Sequence, residues 1–469
     1  MSTRSPRPGR LSRQARHGRP AAPVRIVHLG LGNFFRAHQA WYTEHAEDAA
    51  SWGIAAFTGR SPRMADLLNA QDGLYTLITQ GPDGSAFEVI STISAVHAAT
   101  DHGAWLDYWG DPHVAIVTLT VTEAGYLRTS DGHLETSRPE VQADVAALRD
   151  SPTAPVTTAP GRIVAGMLAR RAQDAGALTI VPCDNLPDNG RALQAVIEEL
   201  VEAVDPSLSL WAEDNIVFAT TMVDRITPAT TDAHVAAVLA ATWYLDDAPV
   251  PTEPFSEWVI QGLFPKGRPL WEKAGARIVE DVSPFEQRKL WLLNGAHSLL
   301  AYAGSIRGHE TVADAVADPA ARAWVHEWWD EASAHLTLPA AKVAAYRQAL
   351  LERFENPSIR HGLAQIAADG SQKLRVRIVP VLRAERAAGR LPTGAVRVVA
   401  AWVDHLRGAG APVKDAAQAE VARLAEGTLE ESVGQVVAFL APDLADDVVL
   451  RDAVAAHAEE LLAQVHPVR

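Results

Sequence analysis

Hydrophobic residues form short, strand-like runs in the first part of the chain. The first run, Val24–Leu29, leads directly into a pair of glycines, and similar β-branched runs lie at residues 54–57, 114–120, 178–182 and 216–223. Segments with helical spacing, at residues 36–46, 162–175 and 191–204, separate these runs. Such alternation of strand and helix predicts an α/β fold built on a doubly wound parallel sheet of the Rossmann type.

Helical periodicity replaces the strand pattern beyond residue 283. Long segments rich in Ala, Leu, Glu and Arg follow, including residues 320–336, 340–354, 374–388, 395–406 and 414–424. The sequence Ser-Pro-Phe-Glu at 283–286 is typical of a helix start, with serine at the N-cap and proline in the first turn. A length of 469 residues suggests about three domains. We predict two, a Rossmann-type dinucleotide-binding domain over residues 24–282 and an all-α substrate domain over residues 283–469.

Residues 1–23 are rich in Arg, Pro, Ser and Gly, which predicts a disordered basic tail. An arm that binds nucleic acid is the alternative, whereas a transit peptide would need an apolar face. The tail holds six of the 42 basic residues and no acidic ones, so the remainder has 36 basic and 57 acidic residues and a net charge of -21 rather than -15. Because so acidic a body repels a phosphate backbone, we expect it to have no nucleic-acid partner.

The composition excludes several classes of protein. Hydrophobic residues make up 48% and charged residues 21%, as in globular proteins, and no apolar stretch reaches the ~18 residues of a membrane-spanning helix. Cys183 is the single cysteine, which excludes an intrachain disulfide framework and favours a reducing, cytoplasmic environment. The histidines do not form a zinc-binding helix pattern, so we expect no catalytic metal. The sequence also lacks a G-x-S-x-G elbow and a P-loop lysine.

Gly30 and Gly32 lie between the first predicted strand and a predicted helix, in Gly-Leu-Gly-Asn-Phe-Phe. Glycines at this place let the backbone turn tightly and approach a pyrophosphate. The candidate cofactor-binding residues here are Gly30, Gly32, Asn33 and Phe34. Phe35 occupies the position of the third glycine in the usual fingerprint, so the pattern on its own is a weak indicator of a dinucleotide site.

The end of the second predicted strand bears on the choice of cofactor. NAD sites usually place an acidic residue there to bind the ribose 2′-hydroxyl. This strand ends in Phe-Thr-Gly-Arg-Ser, and the next acidic residue is Asp66. Arg60 is a further candidate cofactor residue, because it could accept a 2′-phosphate or pack on adenine. We expect NAD and keep NADP as the alternative.

Lys289 belongs to a leucine-rich helical segment that also contains Asn294 and His297. The chain has only six lysines against 36 arginines, so a lysine in such a segment indicates chemistry that requires an amine able to lose its proton. At about 100° per residue, Asn294 lies about 140° and His297 about 80° around an α-helix from Lys289. Burial among leucines lowers the pKa of an amine, which makes Lys289 a candidate general base. The alternative is a buried structural helix with a snorkelling lysine.

Other segments also carry candidate site residues. Asn185 follows the run at 178–182, at the sheet edge where open α/β folds bind ligands, although residues that only cap the next helix would give the same pattern. Asp224 ends the next run and is a candidate substrate contact, or one half of a structural Asp-Arg pair. Lys373, in Asp-Gly-Ser-Gln-Lys, could contact substrate or lie in a solvent-exposed loop.

These segments occur in the order found in the polyol-specific long-chain dehydrogenase family, also called the mannitol dehydrogenase family, which contains mannitol 2-dehydrogenase and fructuronate reductase. Together with Arg-Ala-His-Gln after the glycine turn and Val-Asp-Arg-Ile-Thr-Pro at 223–228, they make the chain resemble that family from Val24 onward. The resemblance implies a nicotinamide-dependent, metal-independent oxidoreductase with its site between a Rossmann-type and a helical domain. The expected reaction interconverts a linear polyol or aldonate and its 2-keto sugar, either D-mannonate and D-fructuronate or D-mannitol and D-fructose.

The resemblance also implies roles for individual residues. Lys289 matches the general base, and Asn185 and Asn294 match the pair that polarises the substrate oxygen. His297 matches the residue that hydrogen-bonds the reactive hydroxyl or carbonyl group. Lys373 matches a substrate-contacting lysine.

The choice of substrate within the family is only partly indicated. Gln365 stands where mannitol-specific members have an arginine, so residues 365–373 look more like the fructuronate reductase branch. A phosphorylated hexitol such as mannitol 1-phosphate is an alternative, disfavoured because the motifs contain no arginine cluster. A non-catalytic relative that senses a sugar or dinucleotide is the alternative from another class, and the presence of all the expected polar residues argues against it. We expect a cytoplasmic monomer or small homo-oligomer.

Overall fold

A computed structural model of the chain describes residues 8–15, 17–129 and 131–465. They divide into two compact units, Met1–Ser283 and Pro284–Arg469. The first unit contains the β-sheets and the second is helical over its described residues.

The central sheet of the first unit has, within the described residues, six parallel strands. In chain order these are Val24–Leu29, Gly53–Phe57, Ile93–His97, Ile116–Leu119, Leu178–Pro182 and Ile216–Phe218. Their order across the sheet is third, second, first, fourth, fifth, sixth, which is the Rossmann arrangement. Alternate side chains of the first strand enter different cores, with Ile26 on one side of the sheet and Val27 and Leu29 on the other. The predicted doubly wound fold is confirmed.

Helices cover both faces of this sheet. Among the described residues, the helices of the first unit are Asn33–Ala37, Gln39–Glu44, Arg63–Asn69, His102–Gly110, Pro139–Asp150, Ala159–Ala172, Asn189–Val204, Ser207–Asn215 and Asp232–Thr242, with 3₁₀ turns at Ala49–Ser51, Glu123–Tyr126 and Trp271–Ala274. The helix expected over residues 36–46 is interrupted at His38, whose φ of -121° and ψ of -86° are not helical. The interruption has a tertiary cause, because the His38 ring is hydrogen-bonded to the Glu257 carbonyl at 3.0 Å.

Smaller sheets surround the parallel one. Tyr75–Gly81 and Gly84–Ile90 form an antiparallel hairpin, and Val250–Thr252 pairs parallel to its first strand. Thr220–Asp224 pairs antiparallel with Glu257–Gln261, which pairs parallel with Arg277–Ile278. The strand predicted over residues 216–223 is therefore divided at Ala219 between different sheets.

The prediction of a disordered tail over residues 1–23 is wrong for residues 8–15 and 17–23. Gly9–Arg10 pairs parallel with Tyr244–Leu245, and the side chain of Leu11 is fully buried. Arg13 donates to the carbonyls of Ser91 at 2.7 Å and Ile93 at 2.9 Å. The hydrogen bonds of Arg13 and the burial of Leu11 hold this segment against the rest of the unit. The composition of the segment does not show these contacts, because they depend on residues distant in the chain. Residues 1–7 and 16 lie outside the described part of the chain.

The second unit consists, where it is described, of helices packed around Thr393–Leu406. The others are Ser283–Arg288, Gly295–Leu299, Val312–Ala317, Pro319–Ser333, Ala340–Phe354, Leu363–Ile366, Gly370–Arg377, Val379–Ala387, Gln418–Leu424, Leu429–Leu440 and Val448–Val465, with a 3₁₀ turn at Pro442–Leu444. The π-helical stretch Lys289–Asn294 joins the first two of these into one continuous helix, and a second π-helical stretch, Leu300–Gly304, continues it. In either unit, no described helix has both the length and the apolar character needed to cross a membrane.

Candidate functional site

A cleft of about 510 Å³ lies at the carboxyl ends of the parallel strands of the first unit. Thr120 follows the fourth strand, Cys183 and Asn185 follow the fifth, and Phe34 comes from the helical turn after the first. All of these residues line the cleft. The first and fourth strands are neighbours in the sheet although they are distant in the chain, and crevices at such a point bind ligands in doubly wound folds. This cleft is the candidate cofactor site.

The glycine turn has the backbone conformation that a close approach to a ligand requires. Gly30 has a φ of +112°, and a Cβ on it would lie 2.6 Å from the Thr120 carbonyl oxygen, so only glycine fits. The amides of Gly30 and Leu31 each donate to the Phe57 carbonyl at 3.0 Å, which fixes the turn to the second strand. A Cβ on Gly32 would have the Gly30 carbonyl oxygen, at 3.6 Å, as its nearest neighbour, so the space beside the turn is open.

The residues after the glycines differ in their surroundings. The Asn33 side chain donates to the Pro228 carbonyl at 3.0 Å, which commits its amide group to the protein, whereas the Phe34 ring lines the cleft. Phe35, in the third-glycine position, is fully buried and stacks on the His28 ring with the centroids 3.5 Å apart. A third glycine would allow the helix to approach the strand closely, and here this ring pair fills that space.

Arg60 lies on an exposed turn after the second strand and is not among the residues that line the cleft. At the strand end itself, the Thr58 hydroxyl accepts from the Ala99 amide at 2.9 Å. The position where NAD sites usually have an acid is therefore occupied by a neutral, hydrogen-bonded side chain.

Asn185 is exposed on a turn that begins where the fifth strand ends. The preceding residue, Asp184, accepts from the Leu186 amide at 2.9 Å through Oδ1 and from the Tyr126 hydroxyl through Oδ2. Tyr126 is fully buried. Burial raises the pKa of Asp184 to about 6. The turn that carries Asn185 is thus built around a carboxylate with specific donors.

Asn189 ties the other end of this turn to a neighbouring strand. Its Oδ1 accepts from the Thr221 amide at 2.9 Å, and its Nδ2 donates to the Thr221 carbonyl at 3.1 Å. Asn189 is fully buried and begins the helix Asn189–Val204. The polar cluster at residues 183–190 therefore has tertiary partners as well as local turn geometry.

Asp224 is 4% exposed at the end of its strand. The guanidinium of its neighbour Arg225 donates to the carbonyls of Ala37 and Glu253. It also lies over the Trp41 ring, 4.9 Å from the centroid. Arg225 has a structural role, because it fixes the first helical turns of the unit to this strand end.

In the second unit, Lys289, Asn294 and His297 lie on one continuous helix. The angles expected for an α-helix are wrong here, because residues 289–294 are π-helical. A π-helix is bonded from residue i to residue i+5 and is wider than an α-helix, so Asn294, five residues after Lys289, lies closer to it around the axis than the about 140° of an α-helix. The π geometry brings these polar side chains nearer to one line along the helix. Lys289 is half-buried.

Tryptophans from the neighbouring helix support the π-helical stretch. The indole N–H groups of Trp328 and Trp329 donate to the carbonyls of Trp291 and Leu292, at 2.8 Å each. Both indole side chains are fully buried. The bond to the Leu292 carbonyl is fully buried and the bond to the Trp291 carbonyl is partly buried, so both satisfy carbonyl groups with little access to solvent.

The backbone carbonyl of Asn294 accepts from the Ser298 hydroxyl at 3.1 Å and from Arg377 at 3.4 Å. Arg377 also donates to the Ser298 hydroxyl at 3.2 Å. Since Arg377 ends the helix Gly370–Arg377, the segment that carries Lys373 packs against the helix that carries Lys289.

His297 is 6% exposed, and its Nε2 has no hydrogen-bond partner among the described residues. Its ring packs 5.0 Å from Phe354 and, edge to face, 4.9 Å from His361. Burial holds the pKa of His297 well below its ordinary value. That pKa is lowered further by His361, Arg353 and Arg377. The ring is therefore neutral near pH 7 and has a nitrogen available for a substrate oxygen.

Lys373 is half-buried, and its ammonium donates to the carbonyls of Ala368 at 2.5 Å and Ile366 at 3.2 Å. The Tyr302 hydroxyl donates to the intervening Ala367 carbonyl at 3.1 Å. Together these side chains close the turn that precedes the helix Gly370–Arg377. The lysine predicted to contact substrate thus also has a structural function.

Within the described residues, no group of three His, Cys, Asp or Glu side chains could hold a metal ion. Cys183 is 1% exposed, and burial raises the pKa of its thiol well above the ordinary value. The thiol is therefore not an activated nucleophile.

Some groups that surround the candidate residues were missed by reasoning from sequence. Two of these groups, Tyr126 and Asp184, lie beside Asn185 in the fold. Asp184 could have been identified from the sequence, because it directly precedes a predicted site residue. His361 had no local signal, since its contact with His297 joins segments that are distant in the chain.

Comparisons with known proteins place the chain in a family. Residues 24–273 match the mannitol dehydrogenase Rossmann domain and residues 281–462 match the mannitol dehydrogenase C-terminal domain. D-mannonate oxidoreductase of Escherichia coli is 39% identical over 394 residues, which cover 82% of this chain and 80% of that protein.

Solved structures give the same result. The Pseudomonas fluorescens mannitol 2-dehydrogenase ternary complex with NAD and D-mannitol is 32% identical, with a TM-score of 0.78 over 95% of this chain and 92% of that one. D-sorbitol dehydrogenase in substrate-free form is 30% identical, with a TM-score of 0.87 over 95% of this chain and 94% of that one. The expected family is confirmed: this chain belongs to the mannitol dehydrogenase family.

Proposed function

We propose that the chain is a nicotinamide-dependent oxidoreductase that interconverts D-mannonate and D-fructuronate. The observation that carries this choice is the pair of arginines near His297, Arg353 and Arg377, whose charges add to burial in lowering the pKa of that ring. Guanidinium groups placed in this way attract a substrate that bears a carboxylate, whereas a neutral hexitol gains little from them. The name of the E. coli relative, D-mannonate oxidoreductase, supports the same substrate class.

NAD is the cofactor that we propose for the cleft of the first unit, as in the P. fluorescens complex. The turn at Gly30 and Gly32 offers amide groups and open space to a pyrophosphate, and Phe34 borders the same cleft. Asn33 would contribute its backbone, because its side chain is bonded elsewhere. When bound, the nicotinamide supplies the hydride acceptor. Arg60 is proposed to meet the adenosine end, and NADP is the alternative cofactor because no acid ends the second strand.

Lys289 is proposed as the general base. Oxidation of a secondary alcohol requires that the hydroxyl proton leave, and a neutral amine at Nζ can take it. Lys289 is half-buried in a leucine-rich helix, on the same helix as Asn294 and His297. An arginine could not replace it, because a guanidinium does not lose its proton in proteins.

The remaining polar residues are proposed to bind the substrate. Asn185 and Asn294 donate side-chain N–H groups to the substrate oxygen as negative charge develops on it. His297, held neutral by burial, bonds the same hydroxyl or carbonyl group through its unpartnered nitrogen. Lys373 and Asp224 contact other polar groups of the substrate. No metal ion is needed for this set of roles, since amide donors stabilise the oxyanion.

D-mannitol and D-fructose are the second candidate pair, because the P. fluorescens relative is a complex with D-mannitol. An initial-rate screen decides between the pairs, with D-mannonate, D-mannitol, D-arabinitol, D-sorbitol and mannitol 1-phosphate, each with NAD and with NADP. We expect the highest kcat/KM for D-mannonate with NAD, unchanged by EDTA. A highest value for D-mannitol would contradict the substrate assignment, and inhibition by EDTA that zinc reverses would contradict the metal-free chemistry.

A further inference from the structure

We propose that Tyr126 and Asp184 are positioning residues that set the orientation of Asn185. The inference rests on the proposed function, in which Asn185 donates to the substrate oxygen. Neither residue is assigned a part in the chemistry itself. Their part is to hold the backbone on both sides of Asn185 in one conformation.

The side chain of Asp184, the residue before Asn185, is hydrogen-bonded to the backbone of the residue after it. Its Oδ1 accepts from the amide of Leu186, the residue after Asn185, at 2.9 Å. The closed ring formed by this bond contains the backbone of Asn185, so it restricts the φ and ψ angles that aim the Asn185 side chain. Rotation of the Asp184 side chain would open the ring, and the bond from Tyr126 to Oδ2 opposes that rotation.

Tyr126 provides a fixed point for this arrangement. Its side chain is fully buried in the core formed by one face of the parallel sheet and the helices that cover it. Leu186 packs against the same core from the other side of Asn185. Both ends of the ring are therefore anchored to a rigid part of the unit, while Asn185 between them is exposed at the cleft.

Asn189 completes the support. Its side chain pairs with the backbone of Thr221 on the adjacent strand. Displacement of an amide donor by about 1 Å can cost up to about 10²-fold in rate, so a dedicated support for Asn185 has a kinetic consequence. Loss of the Tyr126 hydroxyl removes the restraint on Asp184 without changing the side chain that meets substrate.

A double-mutant cycle tests the proposal. The assay uses NAD with D-mannonate, or with D-mannitol if the initial-rate screen identifies that polyol as the preferred substrate. Tyr126→Phe is expected to lower kcat on the order of tenfold, with the dissociation constant for NAD nearly unchanged. In an Asn185→Ala background, the same change should have almost no further effect, because the residue it acts through is gone. Multiplicative losses would contradict the proposal, since they would show an action that does not pass through Asn185.

Conservative variants separate positioning from general destabilisation. Asp184→Asn retains an acceptor for the Leu186 amide and can still bond Tyr126, so it should be more active than Asp184→Ala. Tyr42→Phe is the matched control, because Tyr42 is another buried tyrosine, with its hydroxyl 3.2 Å from Ser256. We expect this control to stay within about twofold of wild type.

Hydrogen exchange of the Leu186 amide in the full-length protein gives a readout that does not depend on activity. Tyr126→Phe should accelerate it, and an unchanged rate would contradict the proposal even if kcat falls. Failure of the proposed function gives a different result, namely full activity of Asn185→Ala, which would overturn both. An inactive Asn185→Ala combined with a fully active Tyr126→Phe would overturn the positioning role alone.

Discussion

The protonation state of His297 follows from its surroundings rather than from its residue type. An ordinary histidine has a pKa near 6.5 and is partly charged at neutral pH. Burial and the basic side chains around this ring favour the neutral form. A neutral imidazole can both donate and accept, which suits a partner for an oxygen that changes between hydroxyl and carbonyl.

The first prediction concerns this ring. His297→Ala is expected to lower kcat/KM by about 10²-fold, because a hydrogen bond to the reacting oxygen is lost. The loss should be similar at pH 6, 7 and 8, since a folded-state pKa well below 6.5 leaves the ring neutral throughout. The control is His457→Ala, on the last helix, whose ring bonds the Ala453 carbonyl at 2.9 Å. A loss that disappeared toward pH 6 would show that His297 becomes charged there.

Residue types near the reaction were easier to predict than their partners. The scarcity of lysine drew attention to Lys289, and Asn294 and His297 lie on its helix as predicted. Their roles stay predictions. The contacts to His361 and Tyr126 were not predicted, because each joins segments whose approach depends on the whole fold.

At the scale of elements, the π-helical stretch depends on bonds from outside its own helix. A carbonyl that is shielded from solvent in the widened turn needs a donor, and the indoles of Trp328 and Trp329 supply donors to two such carbonyls. The same stretch carries Lys289 and Asn294, so support of the helix also determines how these side chains are arranged. π-Helical turns are frequent at functional sites.

Trp329→Phe tests this support. The variant leaves the Leu292 carbonyl without its donor, which should cost about 1–3 kcal/mol and lower the Tm by several degrees. We also expect kcat to fall, because the π geometry relaxes. Trp324→Phe, on the same helix, is the control, since its ring packs against Arg307 and Arg397. Equal effects of the two substitutions would contradict a specific role for the indole bond.

The helix Thr393–Leu406 contains a second testable group. Asp404 is 1% exposed, and neither carboxylate oxygen has a hydrogen-bond partner among the described residues. Burial raises the pKa of Asp404 to about 7. Since the folded state holds this proton more tightly than the unfolded state, stability is lost as pH rises from the ordinary range of a carboxyl group to about 7.

Asp404→Asn removes that titration. The difference in Tm between the variant and wild type should therefore increase by a few degrees, in favour of the variant, from pH 5 to pH 8. Asp452→Asn, at an exposed position on the last helix, should follow the wild-type curve. Parallel curves for wild type and Asp404→Asn would show that Asp404 does not change its charge in this range.

Local patterns identified most of the parallel strands but not the smaller sheets. The hairpin at residues 75–90 has Pro82-Asp83 at its tip, followed by Gly84. These residues favour a turn, so the hairpin could have been predicted from the sequence, although it was not. The division of residues 216–223 at Ala219 could not be predicted, because a continuous β-branched run does not show which sheet each half joins. The break at His38 likewise depends on a distant carbonyl.

At the scale of the whole molecule, the basic N-terminal segment belongs to the charge balance of the first unit. Arg10 pairs with Asp247 at 3.0 Å and Arg19 with Glu44 at 2.9 Å. Arg10, Arg13 and Arg19, which the value of -21 sets aside, therefore belong to the folded part of the chain. An arm reserved for nucleic acid would leave its arginines without acidic partners, so these pairs argue against that alternative for the described residues of the segment.

The prediction at the scale of the whole molecule concerns Arg13. Its guanidinium bonds the Ser91 and Ile93 carbonyls, so Arg13→Ala should cost about 1–3 kcal/mol and lower the Tm of the first unit. The exposed Arg423 provides the control, since Arg423→Ala should change Tm by less than about a degree. An unchanged Tm for Arg13→Ala would restore the interpretation of residues 8–23 as a loosely attached tail.

The central claim is that Lys289 takes the hydroxyl proton in a nicotinamide-dependent oxidation, and one measurement tests it most directly. This is kcat of Lys289→Ala at pH 7 with D-mannonate and NAD, alongside the dissociation constant for NAD and the control Lys342→Ala, an exposed lysine. We predict a fall in kcat of about 10³-fold, an unchanged dissociation constant and a fully active control. Turnover of Lys289→Ala close to that of wild type would contradict the account.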